Sequence, residues 1–91
     1  MKEVYKIKSI TNYRGESIGE RIDWIGLKVY AEQLIVNERA LLAEVTLKKG
    51  KYKYKEPMRN INTSGVKYVQ EIPGGFLFAT HSGTCYELQK I

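Results

Sequence analysis

Six basic residues stand in the twelve positions from Lys48 to Arg59: Lys48, Lys49, Lys51, Lys53, Lys55 and Arg59, against one acid, Glu56. The chemistry open to such a run is electrostatic. Successive side chains of an extended strand point to opposite faces. Lys51, Lys53 and Lys55 then project from one face, Tyr52 and Tyr54 from the other. A phosphate backbone can lie along such a row, with binding that weakens as salt rises. The same residues also suit an edge strand, where lysines oppose pairing with another chain.

A second set is neutral and hydroxylic. Thr63, Ser64, Thr80, Ser82 and Thr84 fall at the ends of short apolar runs, and His81 lies among them. If the last third of the chain is a meander, its first strand begins at the end where the second turn lies. Thr63, Ser64, Thr80, His81 and Ser82 then share one rim, and Arg59 approaches it from the preceding loop. Hydroxyls, an imidazole and turn N–H groups form a concavity for an anion. Arg59 would add the planar fork that phosphate oxygens accept. Ser, Thr and Gly are also the ordinary residues of turns.

Other chemistry lacks its parts. His81 is the sole histidine and Cys85 the sole cysteine, so the ligand sets of a zinc site are missing. No serine or cysteine nucleophile has a matching base. The ten acids are scattered, with no pair spaced for acid–base work. The expectation is a non-enzyme without metal or cofactor. Trp24, Phe76 and Phe78 are expected in the core, and exposed tyrosines would offer rings on which bases stack.

The elements that must position these residues read as strands. Val66–Ile72, Phe76–Thr80 and Thr84–Leu88 are separated by Pro73-Gly74-Gly75 and His81-Ser82-Gly83. Pro presets the first corner of a turn and Gly supplies positive φ, so three antiparallel strands follow. Val4–Ile10 is a first strand with weak alternation. Arg21–Tyr30 is apolar and broken by Gly26, which suggests two short strands about a bend. From Lys28 to Glu44 two periods compete. Leu34, Glu38, Leu41 and Val45 have helical spacing, with Asn37 as a cap. Leu41, Ala43, Val45 and Leu47 alternate as a strand does. The Lys48-Lys49-Gly50-Lys51 turn and the Tyr/Lys alternation beyond it favour a long hairpin from Ala40 to Lys55. One short helix at Val29–Leu34 or Glu38–Ala43 is retained, and Met58–Asn62 reads as loop.

The expected fold is therefore mainly β, with α+β the variant. It is a small antiparallel sheet or partly open barrel of five or six strands, with at most one short helix, in a single β-rich domain over 1–91. The balance of 15 Lys and Arg against 10 Asp and Glu, formally +5, favours an anionic partner. The apolar run needed to span a membrane is absent from the sequence, and the first residues have no signal-peptide core. One cysteine fits a reducing, cytoplasmic setting. A small β domain with open edges is expected to form a homo-oligomer, most simply a dimer. The function expected is binding of a nucleotide or nucleic acid. The alternative is an interaction module or inhibitor that binds an acidic protein surface.

The tail TSGV followed by GGFLFATHSGTCYEL resembles that of short proteins of phages and mobile elements. In those, a Thr-Ser-x-Val strand, a Gly-Gly turn and a Thr-x-x-Ser-x-Tyr-x-Leu-like hairpin recur. Gly83 is inserted into the last element here, and the resemblance covers about a third of the chain. Proteins of that kind look like binders that block or sequester a host defence component, cyclic nucleotide signals included. The resemblance implies an anti-defence role of that type.

Overall fold

A computed structural model describes residues 3–32 and 34–91. Its strands are β1 Val4–Asn12, β2 Lys28–Glu32, β3 Arg39–Lys48, β4 Lys51–Tyr54, β5 Asn60–Ile72, β6 Gly75–Thr80 and β7 Thr84–Lys90. All pair antiparallel. β1 lies between β2 and β7, and β2 also pairs with β3. The circuit β1-β2-β3-β5-β6-β7 therefore closes on itself as a six-stranded barrel, rather than stopping partly open. β4 is a seventh strand outside that ring.

The turns follow from their residues. Lys49 and Gly50 take φ of 50° and 77°, the two positive values that a two-residue hairpin with native twist demands. Pro73 sets the first corner of the β5–β6 turn, and Gly74 takes φ of 81° at the second.

Gly75 is needed for a different reason. A Cβ placed there would stand 1.9 Å from the Leu88 carbonyl oxygen, because β6 and β7 approach closely at that point. Gly75→Ala should therefore cost about 3 kcal/mol, the upper end of the overpacking range. Tm should fall by roughly 12–24 °C for a domain of this size. A thermal melt unchanged from the parent would refute this.

The interior is built from alternate positions. Ile7, Ile10, Val29, Leu42, Val66, Phe78 and Leu88 are fully buried, and Tyr5, Trp24, Ile61 and Tyr86 nearly so. The rings of Phe78 and Tyr86 stack at 4.8 Å. In β1 the register shifts between Ile7 and Ser9. That bulge explains the weak alternation in the sequence, since it lets Ile7 and Ile10, three apart, both face inward.

Of the two segments where a helix was in question, residues 29–32 and 39–43 are strand, and Gln33 lies outside the described residues. Lys28–Glu32 and Arg39–Lys48 pair with each other and with β1 and β5. These ladders outweigh the helical tendency of Arg39-Ala40-Leu41-Leu42-Ala43-Glu44, as tertiary pairing commonly does. Asn37, considered as a helix cap, instead adopts φ of 71° in a turn. The helical turn that does form is a 3-10 segment, Gly19–Trp24, where a short strand was expected. β5 begins at Asn60, inside the stretch read as loop. No helix among the described residues is long and apolar enough to cross a membrane.

Two buried tyrosines make stability depend on alkaline pH. Burial pushes the Tyr5 hydroxyl up to about 12, helped by the Glu3 carboxylate that accepts its hydrogen bond at 2.7 Å. Burial also raises Tyr86, and the Arg21 guanidinium that donates to its oxygen offsets this in part. Both shifts favour the neutral phenol in the folded state. Their contribution is complete below the unfolded value of about 10 and is lost as pH rises through the folded values. Spectrophotometric titration should show a late tyrosine class that ionises together with loss of near-UV dichroism. All tyrosines titrating together near pH 10 with the fold intact would contradict this.

Candidate functional site

β3 is longer than the barrel needs, and two strands share the edge that faces away from β2. Its Leu41–Ala43 part pairs with Asn60–Asn62 of β5, and its Val45–Lys48 part with β4. At Glu44 the chain leaves the ladder and returns. Lys55 N donates to the Glu44 carbonyl at 3.1 Å, and Glu44 N donates to the Arg59 carbonyl at 2.9 Å. Beyond this point β3 and β4 continue as a two-stranded ribbon. Both outer edges of this ribbon are left without a strand partner, as is one edge of β5 over Tyr68–Ile72, which pairs with β6 alone.

The pairs Val45↔Tyr54, Thr46↔Lys53, Leu47↔Tyr52 and Lys48↔Lys51 sort the ribbon into two faces. Residues directly opposite share a face. Val45, Leu47, Tyr52 and Tyr54 form one. Thr46, Lys48, Lys51 and Lys53 form the other, and Lys49 stands at the tip. All four lysines are exposed, and none makes an ion pair among the described residues. Lys48 and Lys51 oppose each other directly, an arrangement that costs stability.

Lys55 and Arg59 belong to a different structure. The Glu44 side chain is only 7% exposed, and it faces both. Lys55 Nζ lies 3.3 Å from Oε2, and Arg59 Nη1 lies 3.4 Å from Oε1. Arg59 also reaches Asp23 Oδ2 at 3.4 Å and lies over the buried Trp24 ring at 4.9 Å. A buried carboxylate requires such partners. These two cations are committed to closing one end of the barrel.

The structure brings Ser64, Thr80, His81 and Ser82 together, and leaves Arg59 apart from them near the Ala43↔Asn60 pair, while Gly65 pairs at Arg39. Ser64 Oγ donates to Ser82 Oγ at 2.9 Å, and Thr80 Oγ1 lies 2.9 Å from the same oxygen. Thr63 is buried next to this cluster; its Oγ1 accepts from Ala40 N and donates to the Ser64 carbonyl. The N–H groups of the turn are spent internally. His81 N donates to the Gly65 carbonyl and Gly83 N to that of Thr80. Ser82 N donates to Ser64 Oγ, and Thr84 N to Thr80 Oγ1. His81 Nε2 lies 3.2 Å from Asn37 Oδ1. The rim thus satisfies its own donors and ties the β6–β7 turn to β5.

Sequence reasoning missed a third feature, a groove on the tyrosine face. It is an open groove of about 470 Å³, lined by Tyr30, Tyr52, Lys53, Tyr54 and Glu56. The Tyr30 and Tyr54 rings meet edge to face at 5.3 Å. The Tyr30 hydroxyl donates to the Tyr52 carbonyl at 2.9 Å, which fixes the groove wall to the ribbon. Lys28 Nζ stands 5.6 Å from the Tyr52 ring centre. The Tyr52/Tyr54 alternation was visible, but Tyr30 and Lys28 arrive only through the β2–β3 pairing. No protein-family model, curated protein or solved structure matches this chain.

Proposed function

We propose that this protein is a non-catalytic module that binds nucleic acid through the β3–β4 ribbon. The observation that supports this is the division of its basic residues. Lys55 and Arg59 are paired with acids, whereas Lys48, Lys49, Lys51 and Lys53 are exposed on one face and the tip and make no ion pair among the described residues. Opposed, uncompensated lysines weaken a hairpin, and an external polyanion offsets that cost. A linear array of charges suits an extended backbone better than a compact nucleotide. The rim, whose hydroxyls and N–H groups bind one another, has few donors left for a single phosphate.

The likeness of the tail to phage and mobile-element proteins extends the proposal to an anti-defence binder that captures a host nucleic acid or nucleotide signal. An acidic protein partner is the second reading. Leu47, on the ribbon opposite Tyr52, is 54% exposed, and protein interfaces combine apolar and basic groups in this way. Fluorescence anisotropy with a labelled single-stranded oligonucleotide tests the first reading. If four lysines meet phosphates, log K against log salt should have a slope of about −3. Absence of oligonucleotide binding at low salt would leave the protein reading in its place.

A further inference from the structure

We propose that the Tyr30–Tyr52–Tyr54 groove receives an unpaired nucleobase, making this module selective for single strands. The inference rests on the ribbon reading above and adds the tyrosines of the ribbon's other face, which Lys53 borders. Lysines alone do not distinguish a duplex from a single strand. An open aromatic groove does, because a base can enter it only when it is unpaired and unstacked.

The groove has the required dimensions and chemistry. Its volume of about 470 Å³ lies within the range of small-molecule sites, roughly 300–1,000 Å³. Three tyrosine side chains line it, and Lys28 approaches the Tyr52 ring. A base stacked on Tyr52 would carry its phosphate to the side where Lys28 and Lys53 lie. Tyr30 is held by its hydrogen bond to the Tyr52 carbonyl and by its edge-to-face pair with Tyr54. The wall is therefore formed before a ligand arrives, and less ordering cost is due on binding.

Glu56 is the acid in this basic neighbourhood, and it lines the groove. Among the described residues it makes no ion pair. A carboxylate repels phosphate but accepts a hydrogen bond from an exocyclic amine. Cytosine offers such an amine where thymine presents a carbonyl oxygen. The groove should therefore prefer cytosine to thymine.

The test compares the full chain with an oligo-dC strand, an oligo-dT strand, the same strand made abasic, and heparin as a polyanion without bases. The parent should bind oligo-dC over the abasic strand by about 5- to 150-fold, the range for one stacked base. It should favour oligo-dC over oligo-dT by about tenfold, as expected for a hydrogen bond to a charged group. Tyr52→Leu should remove the first preference and leave heparin binding within about twofold, since the lysines are untouched. Glu56→Gln should reduce the second. Equal binding of oligo-dC and abasic strand by the parent overturns the groove proposal alone, whatever the variants do. A parent that binds none of these polyanions overturns the ribbon reading and the groove with it. Equal binding of oligo-dC and oligo-dT overturns the role given to Glu56.

Discussion

Lys55→Ala combined with Arg59→Ala should destabilise the fold by about 3 kcal/mol, the lower end for stripping a buried charge of its partners. Both cations are close to half exposed, so solvent screens their own share. The cost comes from the other side. Glu44 is buried at the end of the barrel, and the two cations are its ion-pair partners among the described residues. Without them the buried carboxylate is left uncompensated, and that costs folding energy. Each single variant should cost less, because one cation remains. Adding Glu44→Gln to the pair should recover part of the loss, and this non-additivity is the signature of a shared interaction. Urea unfolding measures it. An unchanged midpoint in the double variant would show that Glu44 needs neither cation. Oligonucleotide binding should persist in all of these proteins, since Lys48, Lys49, Lys51 and Lys53 stay in place.

That prediction reverses the part Arg59 plays in the sequence reading. There it belongs with Thr63 and Ser64 because it precedes them closely. Which end of the barrel it occupies depends on the partner of β5, and Glu44 becomes that partner's inward residue only if Arg39–Lys48 is a strand. Two periods compete over this stretch in the sequence. As a strand, Ala40, Leu42 and Glu44 share the inner face, and the acid is carried to the barrel end with Arg59 and Lys55. What depends on local residues was legible: the Lys49-Gly50 and Pro73-Gly74 turns, the β6–β7 loop and the Lys/Tyr alternation. Closure was not, because it depends on the long-range pairs Tyr30↔Ala43 and Val29↔Glu44. The tyrosine groove was hidden for the same reason. The approach of Ser64 to Ser82 follows from meander topology, but the mutual satisfaction of their donors depends on side-chain geometry that no spacing encodes.

Replacing Lys48, Lys49, Lys51 and Lys53 together by alanine should weaken single-strand binding by on the order of 10²-fold at about 0.15 M salt. Each phosphate contact with a single strand adds about 0.7 to the salt slope, or roughly fourfold in affinity at that concentration. Four contacts multiply, and the slope should fall close to zero. Lys51→Ala alone should remove about 0.7 of the slope. Lys55→Ala should remove much less, because Glu44 holds its charge at 3.3 Å. This contrast separates a specific ribbon from a general excess of positive charge, under which every lysine would count alike. The quadruple variant should fold at least as well as the parent. Lys48 and Lys51 oppose each other across the ribbon, and removing such a pair relieves a repulsion of a few tenths of a kcal/mol. Loss of binding with unchanged or higher Tm would therefore belong to the lost charges and not to a lost fold. A quadruple variant that keeps the parent's affinity and slope would place the binding surface elsewhere on the barrel.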